Sequence, residues 1–172
     1  MNNEILLKRR SIREYTDKDI DENILIDICK VGMYAPTARN QKTCDFIIVK
    51  NKNTIEKLSG LSKNSGFIKN ANALICLALA DEANLSTPAM ASQDLANIMT
   101  YMSLEATSKE IGSCYIGIYP YEDRISYVDN VLGIKDGYHA CAILALGYPI
   151  NNDVFIEKTN KIDLNRIHKE WF

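Results

Sequence analysis

Apolar residues recur along the chain in two patterns, which predict helices and strands in alternation. Spacings of three and four residues predict helices, whereas short unbroken apolar runs predict buried strands. The helices are expected at residues 4–10, 21–33, 53–61, 88–111 and 121–132. The strands are expected at residues 46–49, 74–79, 113–119 and 140–146. Because the two kinds of element alternate, the pattern favours an α/β or α+β fold with helices around a central sheet.

Particular residues mark the ends of these elements. Asp21 is a plausible N-cap for the second helix, and Pro36 with the polar residues after it ends that region. The longest helix is expected to begin at Pro88 and to be terminated by Gly112. The β-branched run at 46–49 is expected to form a strand covered on both faces.

No repeat, low-complexity segment or flexible linker divides the chain. We therefore expect one domain over residues 1–150, followed by a polar C-terminal arm over residues 151–172. An arm with no clear apolar face of its own is expected either to fray or to dock, on the domain or on a partner subunit.

Composition restricts the class of protein. The 172 residues are 47% hydrophobic and 24% charged, with a formal net charge of −2. This composition supports a folded core and excludes intrinsic disorder. The small net charge gives no general attraction to nucleic acid or to anionic lipid, so neither is an expected partner. The longest apolar run, 73–80, is far shorter than the ~20 residues needed to span a bilayer.

The cysteines and the N-terminus indicate a compartment. Five cysteines occur, with no two within four residues of each other, which argues against a disulfide framework and against a zinc ribbon. Those inside apolar runs are expected to be small core residues. The N-terminal segment places its charges after its only apolar residues, unlike a secretory signal. The reducing cytoplasm is the simplest location.

Several common chemistries lack their residues. The chain has two histidines, with His139 opening an apolar strand as an expected structural residue and His168 in the polar arm as a solvated or capping residue. It has no H-E-x-x-H, G-x-S-x-G, P-loop or G-x-G-x-x-G motif. Metal-dependent, hydrolytic, phosphoryl-transfer and Rossmann dinucleotide chemistries are therefore not indicated, and no metal is expected.

Three segments carry unusual groups of side chains. Residues 8–13, K-R-R-S-I-R, combine four cations with a hydroxyl and suit a phosphate, although a solvated basic face or a nucleic-acid patch would also explain them. Residues 35–41, A-P-T-A-R-N-Q, offer mixed donors and acceptors that suit a heteroaromatic edge, but they are also good turn formers. Glycines in 112–117 and 145–149 indicate a cap, a strand bend or a close approach to a ligand.

In their order and spacing, residues 9–15, 35–41, 112–117 and 144–149 resemble the nitroreductase family, in particular its short single-domain members. The resemblance implies an α+β fold with three layers, in which helices surround a central mixed, mostly antiparallel sheet. It also implies a homodimer with the long helix at its interface and with two FMN molecules shared between the subunits.

The same resemblance assigns residues to the FMN site. The phosphate and the pyrimidine edge would be held by Arg9, Arg10, Ser11 and Arg13. The partner subunit would contribute Pro36, Thr37, Ala38, Asn40 and Gln41. Backbone N–H groups near flavin N5 would come from Ile116 and Gly117, and the phosphate site would be completed by Lys161 or, as the alternative, Lys158. Lys42-Thr43-Cys44 departs from the family's usual Q-P-W-like segment, and lysine replaces its usual C-terminal arginine.

The implied activity is FMN-dependent reduction of nitroaromatic, quinone or related acceptors by NADH or NADPH, in a ping-pong mechanism. The flavin carries the chemistry, so no catalytic side chain is assigned. The alternatives are another branch of the same fold, such as an ene reductase or a reductive dehalogenase, and a non-catalytic flavin- or anion-binding module.

Overall fold

A computed structural model describes residues 4–156 and 162–170. The strands are β1 (Cys44–Val49), β2 (Ala73–Ala80), β3 (Gly112–Gly117) and β4 (Tyr138–Gly147). The α-helices are α1 (Glu4–Lys8), α2 (Glu22–Met33), α3 (Lys52–Ser59), α4 (Ala91–Ser108) and α5 (Glu122–Leu132). The four strands form one sheet in the order β1-β2-β4-β3, and each neighbouring pair is antiparallel.

The sheet lies between two separate apolar cores, which explains why its central strands are apolar throughout. Successive side chains of a strand point to opposite faces. In β2, Ile75 and Leu77 enter the core formed with α2 and α4, whereas Leu74 and Cys76 enter the core formed with α3 and α5. The α+β class and the three-layer arrangement expected from the sequence are confirmed.

Strand β1 packs against both cores, as expected for a strand covered on both faces. Its side chains do alternate between the two cores, with Phe46 and Ile48 on one side and Ile47 and Val49 on the other. It is an edge strand, however, and Val49 is the one residue of β1 that is buried, at 6% exposure. An edge position removes the neighbour that would shield the outer flank, and the apolar run alone does not reveal that position.

The long helix is shorter than expected. Residues Pro88–Met90 form a separate turn of 3₁₀ helix, and α4 ends at Ser108. The chain then reverses through Glu110, whose φ of 57° lies in the left-handed region. Gly112 is therefore the first residue of β3 and not the helix terminator. Its lack of a side chain accommodates Ile12, since a Cβ there would come within 2.9 Å of the Ile12 side chain.

Asp21 is confirmed as the N-cap of α2, because its carboxylate accepts a hydrogen bond of 2.8 Å from the backbone N–H of Asn23. Of the strand cysteines, Cys76, Cys114 and Cys141 are buried as expected. All five cysteines are free thiols.

Candidate functional site

The basic N-terminal segment continues beyond α1 as an extended chain that lies against the sheet. The backbone N–H of Ile12 donates to the carbonyl of Ser113 at 2.9 Å, and Ser11 forms a parallel bridge with the same residue. Farther along, the N–H of Thr16 donates to the carbonyl of Tyr148 at 2.7 Å. These bonds fix residues 11–16 between the start of β3 and the chain that follows β4.

Alternation along this extended segment separates its buried residues from its exposed polar ones. Ile12 and Tyr15 are each 6% exposed, and the Tyr15 hydroxyl donates to the Ile12 carbonyl. Burial raises the pKa of the Tyr15 hydroxyl far above its usual value, so the group remains a neutral donor. Ser11 and Arg13 lie two residues apart in the extended chain and are exposed on its other side.

Arg13 lies in a cleft of about 500 Å³ at the end of β3. The guanidinium carbon of Arg13 is 5.6 Å from the centre of the Phe67 ring. Ile116 and Gly117 line the same cleft, and a Cβ built on Gly117 would meet no atom within 4 Å. The other lining residues are Ser62, Asn64, Ser65, Phe67, Cys114, Tyr115 and Arg124. The structure thus brings together three of the residues singled out in the sequence.

The cleft is electropositive. Among the residues that the structure describes, Arg13 and Arg124 are the charged ones lining it, and no acidic residue does so. Burial raises the pKa of the Cys114 thiol, while Arg13 and Arg9 oppose that rise only in part. The raised pKa disfavours the thiolate, which is the nucleophilic form. The cleft suits a ligand that brings negative charge with it.

Arg10 turns away from this cleft toward the chain after β4. Its guanidinium donates to the carbonyl of Leu7 at 2.6 Å, to the carbonyl of Arg9 at 2.8 Å and to the carbonyl of Ile156. Its Nε is buried and has no hydrogen-bond partner among the described residues. Arg10, Ser11 and Arg13 all line a second hollow of about 590 Å³, which is also lined by the acidic residues Glu14 and Asp153. Lys158 and Lys161 lie outside the described residues.

The loop at 36–41 is built around one buried carboxylate. Asp94, in the first turn of α4, is 3% exposed. Its carboxylate accepts hydrogen bonds from the Ala38 N–H at 2.8 Å, the Gln41 side-chain amide at 2.7 Å and the Thr43 hydroxyl at 2.7 Å. Asn97, one helical turn later, donates to the Pro36 carbonyl at 3.1 Å. Helix α4 therefore anchors the loop through the side chains of Asp94 and Asn97.

The loop residues divide into internal and outward-facing groups. The Gln41 amide oxygen accepts from the Thr87 N–H at 2.9 Å, and the Thr37 hydroxyl donates to the Gln41 carbonyl at 2.9 Å. Both side chains thus stabilise the loop itself. Arg39 and Asn40 are exposed and have φ values of 51° and 53°, in the left-handed region that non-glycine residues seldom adopt. None of residues 36–41 lines the cleft that contains Arg13.

A further cavity, with acidic lining residues, lies near the start of β4. It has a volume of about 560 Å³, and His139 and four carboxylate residues are among those lining it. His139 Nδ1 lies 2.9 Å from Asp129, and its Nε2 lies 3.5 Å from Asp81. The hydrogen bond to Asp129 raises the pKa of His139. His139 is thus held by acidic neighbours, as a structural histidine would be.

Two site residues were not singled out in the sequence, namely Asp94 and Arg124. Asp94 follows a polar stretch at the start of α4, and Arg124 follows two acidic residues in the first turn of α5, so both look like surface charges. One sequence signal points to the burial of Asp94. It directly precedes Leu95, which belongs to the row of apolar residues on the buried face of α4.

The described residues contain no group of three or more His, Cys, Asp or Glu side chains placed to hold a metal ion. Within the same residues, every helix is too short or too polar to cross a membrane.

The sequence profile described as "Nitroreductase family" matches residues 6–66 and 59–148 of the chain. The chain belongs to the nitroreductase family. The matched regions include the basic segment, the 36–41 loop and the Gly117 end of β3. The resemblance noted from the sequence motifs is therefore confirmed, and the chain is a member of an oxidoreductase family.

Similar proteins extend the match over nearly the whole chain. A protein of Archaeoglobus fulgidus named "Putative NADH dehydrogenase/NAD(P)H nitroreductase" is 30% identical, over 96% of this chain and 95% of its own length. A "Putative NADH Oxidase" from Clostridium acetobutylicum has a crystal structure with a TM-score of 0.91 and 29% identity, covering 98% of this chain and 99% of that one. An "FMN-dependent Nitroreductase" from Clostridium difficile has a TM-score of 0.88 and 26% identity, with 98% of each chain covered.

Proposed function

We propose that this nitroreductase-family protein is an FMN-dependent NAD(P)H oxidoreductase that reduces nitroaromatic, quinone or related acceptors by a ping-pong mechanism. The observation that carries the proposal is the cleft in which Arg13 and the open end of β3 meet without any acidic lining residue. A relative covering 98% of this chain is named as FMN-dependent. FMN, when bound, supplies the hydride-accepting and electron-donating chemistry.

The cleft has the features that a flavin requires. The space beside Gly117 would be filled by any side chain at that position, so glycine leaves room there for a flat ring. The guanidinium of Arg13 would bind the flavin's negative charge, which increases on reduction. Ser11 adds a hydroxyl on the same exposed side of the segment. In the neighbouring hollow, the buried Nε of Arg10 is a donor that lacks a partner among the described residues, and a phosphate oxygen would satisfy it.

The remaining assignments from the family resemblance are part of this proposal. Arg9 and one of the arm lysines, Lys161 or Lys158, would add charge at the phosphate, and Ile116 would share the N5 contact with Gly117. The partner subunit would contribute the 36–41 loop to the flavin site, through Pro36, Thr37, Ala38, Asn40 and Gln41. Because Thr37 and Gln41 bond within their own loop, the outward-facing Asn40 is the side chain best placed to contact a ligand.

We propose a homodimer as the functional unit, with the flavin shared between subunits. Within one chain, none of residues 36–41 lines the cleft, so a second copy would be needed to bring the loop and the cleft together. Ile162, Leu164 and Ile167 in the C-terminal arm are each at least 66% exposed, and Leu6 in α1 is 59% exposed. Apolar side chains this exposed are typical of an interface, and the arm over 151–172 would dock there. Five free thiols fit a cytoplasmic location.

The direct test is cofactor binding by the purified protein. The wild type should retain FMN, show flavin absorbance and oxidise NADH or NADPH when a quinone or nitroaromatic acceptor is present. Arg13→Met and Ser11→Ala should lower FMN affinity, by roughly 10-fold or more for the charged contact. Lys135→Met is the matched control, since Lys135 is another exposed cation over an aromatic ring but lies outside the cleft.

The outcomes separate the alternatives. A wild type that neither retains nor binds FMN would refute the proposal. FMN binding without oxidation of either nucleotide would favour the non-catalytic binding module. Unchanged FMN affinity in Arg13→Met would remove that residue from the site. Size-exclusion chromatography should show a dimer at micromolar concentration, and an active monomer would refute the shared site.

A further inference from the structure

Arg124 is a second guanidinium in the cleft, contributed by the first turn of α5. Its Nη1 donates to the carbonyl of Gly117 at 3.1 Å, and its guanidinium carbon lies 4.1 Å from the centre of the Tyr121 ring. These two contacts fix the position of the Arg124 side chain beside the last residue of β3. None of the sequence motifs includes this residue.

The described part of the chain leaves most of the hydrogen-bonding capacity of Arg124 unused. A guanidinium has five N–H donors in a fixed planar arrangement. Among the described residues, Arg124 makes one hydrogen bond and one ring contact. No acidic residue lines the cleft to pair with it. A half-buried cation with free donors, fixed in a ligand-sized cleft, is suited to bind an oxyanion.

We propose that Arg124 is a specificity-determining residue that binds an oxyanion on the molecule exchanging electrons in this cleft. The oxyanion is either the carboxylate of an aromatic acceptor or a phosphate of the nicotinamide donor. The proposal rests on the proposed function, because it places Arg124 beside the flavin. The cofactor's own negative charge is assigned to Arg13 and its neighbours, which leaves Arg124 for the second ligand.

The Gly117 bond gives Arg124 its orientation. A lysine would keep the charge but lose the planar set of donors, so it would bind an oxyanion less well while leaving the charge of the cleft unchanged. A methionine would fill similar space with neither charge nor donors. Comparison of the two variants therefore separates the loss of directed hydrogen bonds from the loss of charge.

The test uses the flavin-loaded protein and two measurements. Calorimetric titration gives the affinity for benzoate, for the neutral analogue benzamide and for NAD⁺. Stopped-flow kinetics follow the reductive half-reaction with NADH and NADPH, and the oxidative half-reaction with 4-nitrobenzoate and 4-nitrobenzamide. The variants are Arg124→Met and Arg124→Lys, with Lys18→Met as control, because Lys18 also stacks on a tyrosine, Tyr148, but is not among the cleft-lining residues.

Arg124→Met should weaken the binding of the relevant oxyanion by roughly 10- to 100-fold, with a smaller loss in Arg124→Lys and none in Lys18→Met. A loss of affinity and rate confined to benzoate and 4-nitrobenzoate identifies the acceptor as the source of the oxyanion. A loss of affinity and rate confined to the nucleotides identifies the donor as its source. Benzamide and 4-nitrobenzamide should be unaffected in either case.

Two results would overturn the assignment. Unchanged affinities for all ligands would show that Arg124 binds none of them. An equal loss for the charged and neutral ligands would show that Arg124 only shapes the end of β3. In both cases the wild type would still hold flavin and turn over, whereas failure of the proposed function would appear as a wild type without flavin.

Discussion

The stability of the fold should depend on the absence of a side chain at Gly147, the last residue of β4. A Cβ built there would lie 2.5 Å from the Asn72 Oδ1 and 2.5 Å from Cγ of the Tyr15 ring. Both neighbours are buried, at 4% and 6% exposure. Asn72 also donates to the Thr16 carbonyl at 2.9 Å and accepts from the Tyr148 N–H at 3.2 Å, so it cannot move without breaking bonds.

The size of the effect follows from that confinement. Carbon and oxygen atoms in contact need about 3.5 Å, so Gly147→Ala must displace the ring or the amide by about 1 Å. Overpacking of this kind costs typically 1–3 kcal/mol, and rigid neighbours place this site at the upper end, about 3 kcal/mol. The reduced entropy of the unfolded chain returns about 0.4–1 kcal/mol. The net loss of about 2–2.5 kcal/mol corresponds to a Tm lower by about 4–10 °C.

Gly117→Ala is the matched control, since Gly117 ends β3 as Gly147 ends β4, but a Cβ there meets nothing within 4 Å. Thermal unfolding of both variants and of the wild type should be followed by circular dichroism after any bound flavin has been removed and at one protein concentration, because ligand and dimerisation both raise Tm. Gly117→Ala should raise Tm by about 1–4 °C, because the same entropy gain is not opposed by a clash. Equal Tm values for the two variants would refute the packing argument at Gly147.

Two other positions yield predictions of their own. Asp94→Asn should lower the free energy of unfolding by about 2 kcal/mol or more in chemical denaturation, because an amide would turn a donor toward the three donors that now converge on the buried carboxylate. His139→Gln should lose stability at about pH 5.5 but not at about pH 8.5, as measured by Tm. The pKa of His139 is raised from 6.5 in the folded protein, so its ion pair with Asp129 stabilises at low pH and is lost as pH rises through the folded-state pKa. The exposure of the pair limits the effect to less than about 1 kcal/mol.

Each of these has a result that would contradict it. Asn97→Ala removes one hydrogen bond to the same loop from an exposed position, so a loss as large as that of Asp94→Asn would show that burial of the carboxylate is unimportant. For His139, a stability difference from the Gln variant that grows with pH would have the wrong sign for a raised pKa.

The sequence by itself determined the order of helices and strands along the chain. The unbroken apolar run of β2 predicted a buried strand, and β2 contributes side chains to both cores, because a sheet between two cores requires apolar residues at every position. The order of the basic segment, the 36–41 loop and the glycine-containing strand end predicted the family, which the profile match confirmed. Asp21 was also recognised correctly, since an N-cap is a local interaction.

The tertiary structure decided which polar residues share a site. Asp94 and Arg124 look like surface charges, and only the packing of α4 under the loop and of α5 beside β3 places them among distant partners. It also distinguished Gly117, which faces open space, from Gly147, which is enclosed by Tyr15 and Asn72. Sequence periodicity records whether a residue is apolar, whereas these roles depend on contacts between residues far apart in the chain, and those contacts exist only after folding.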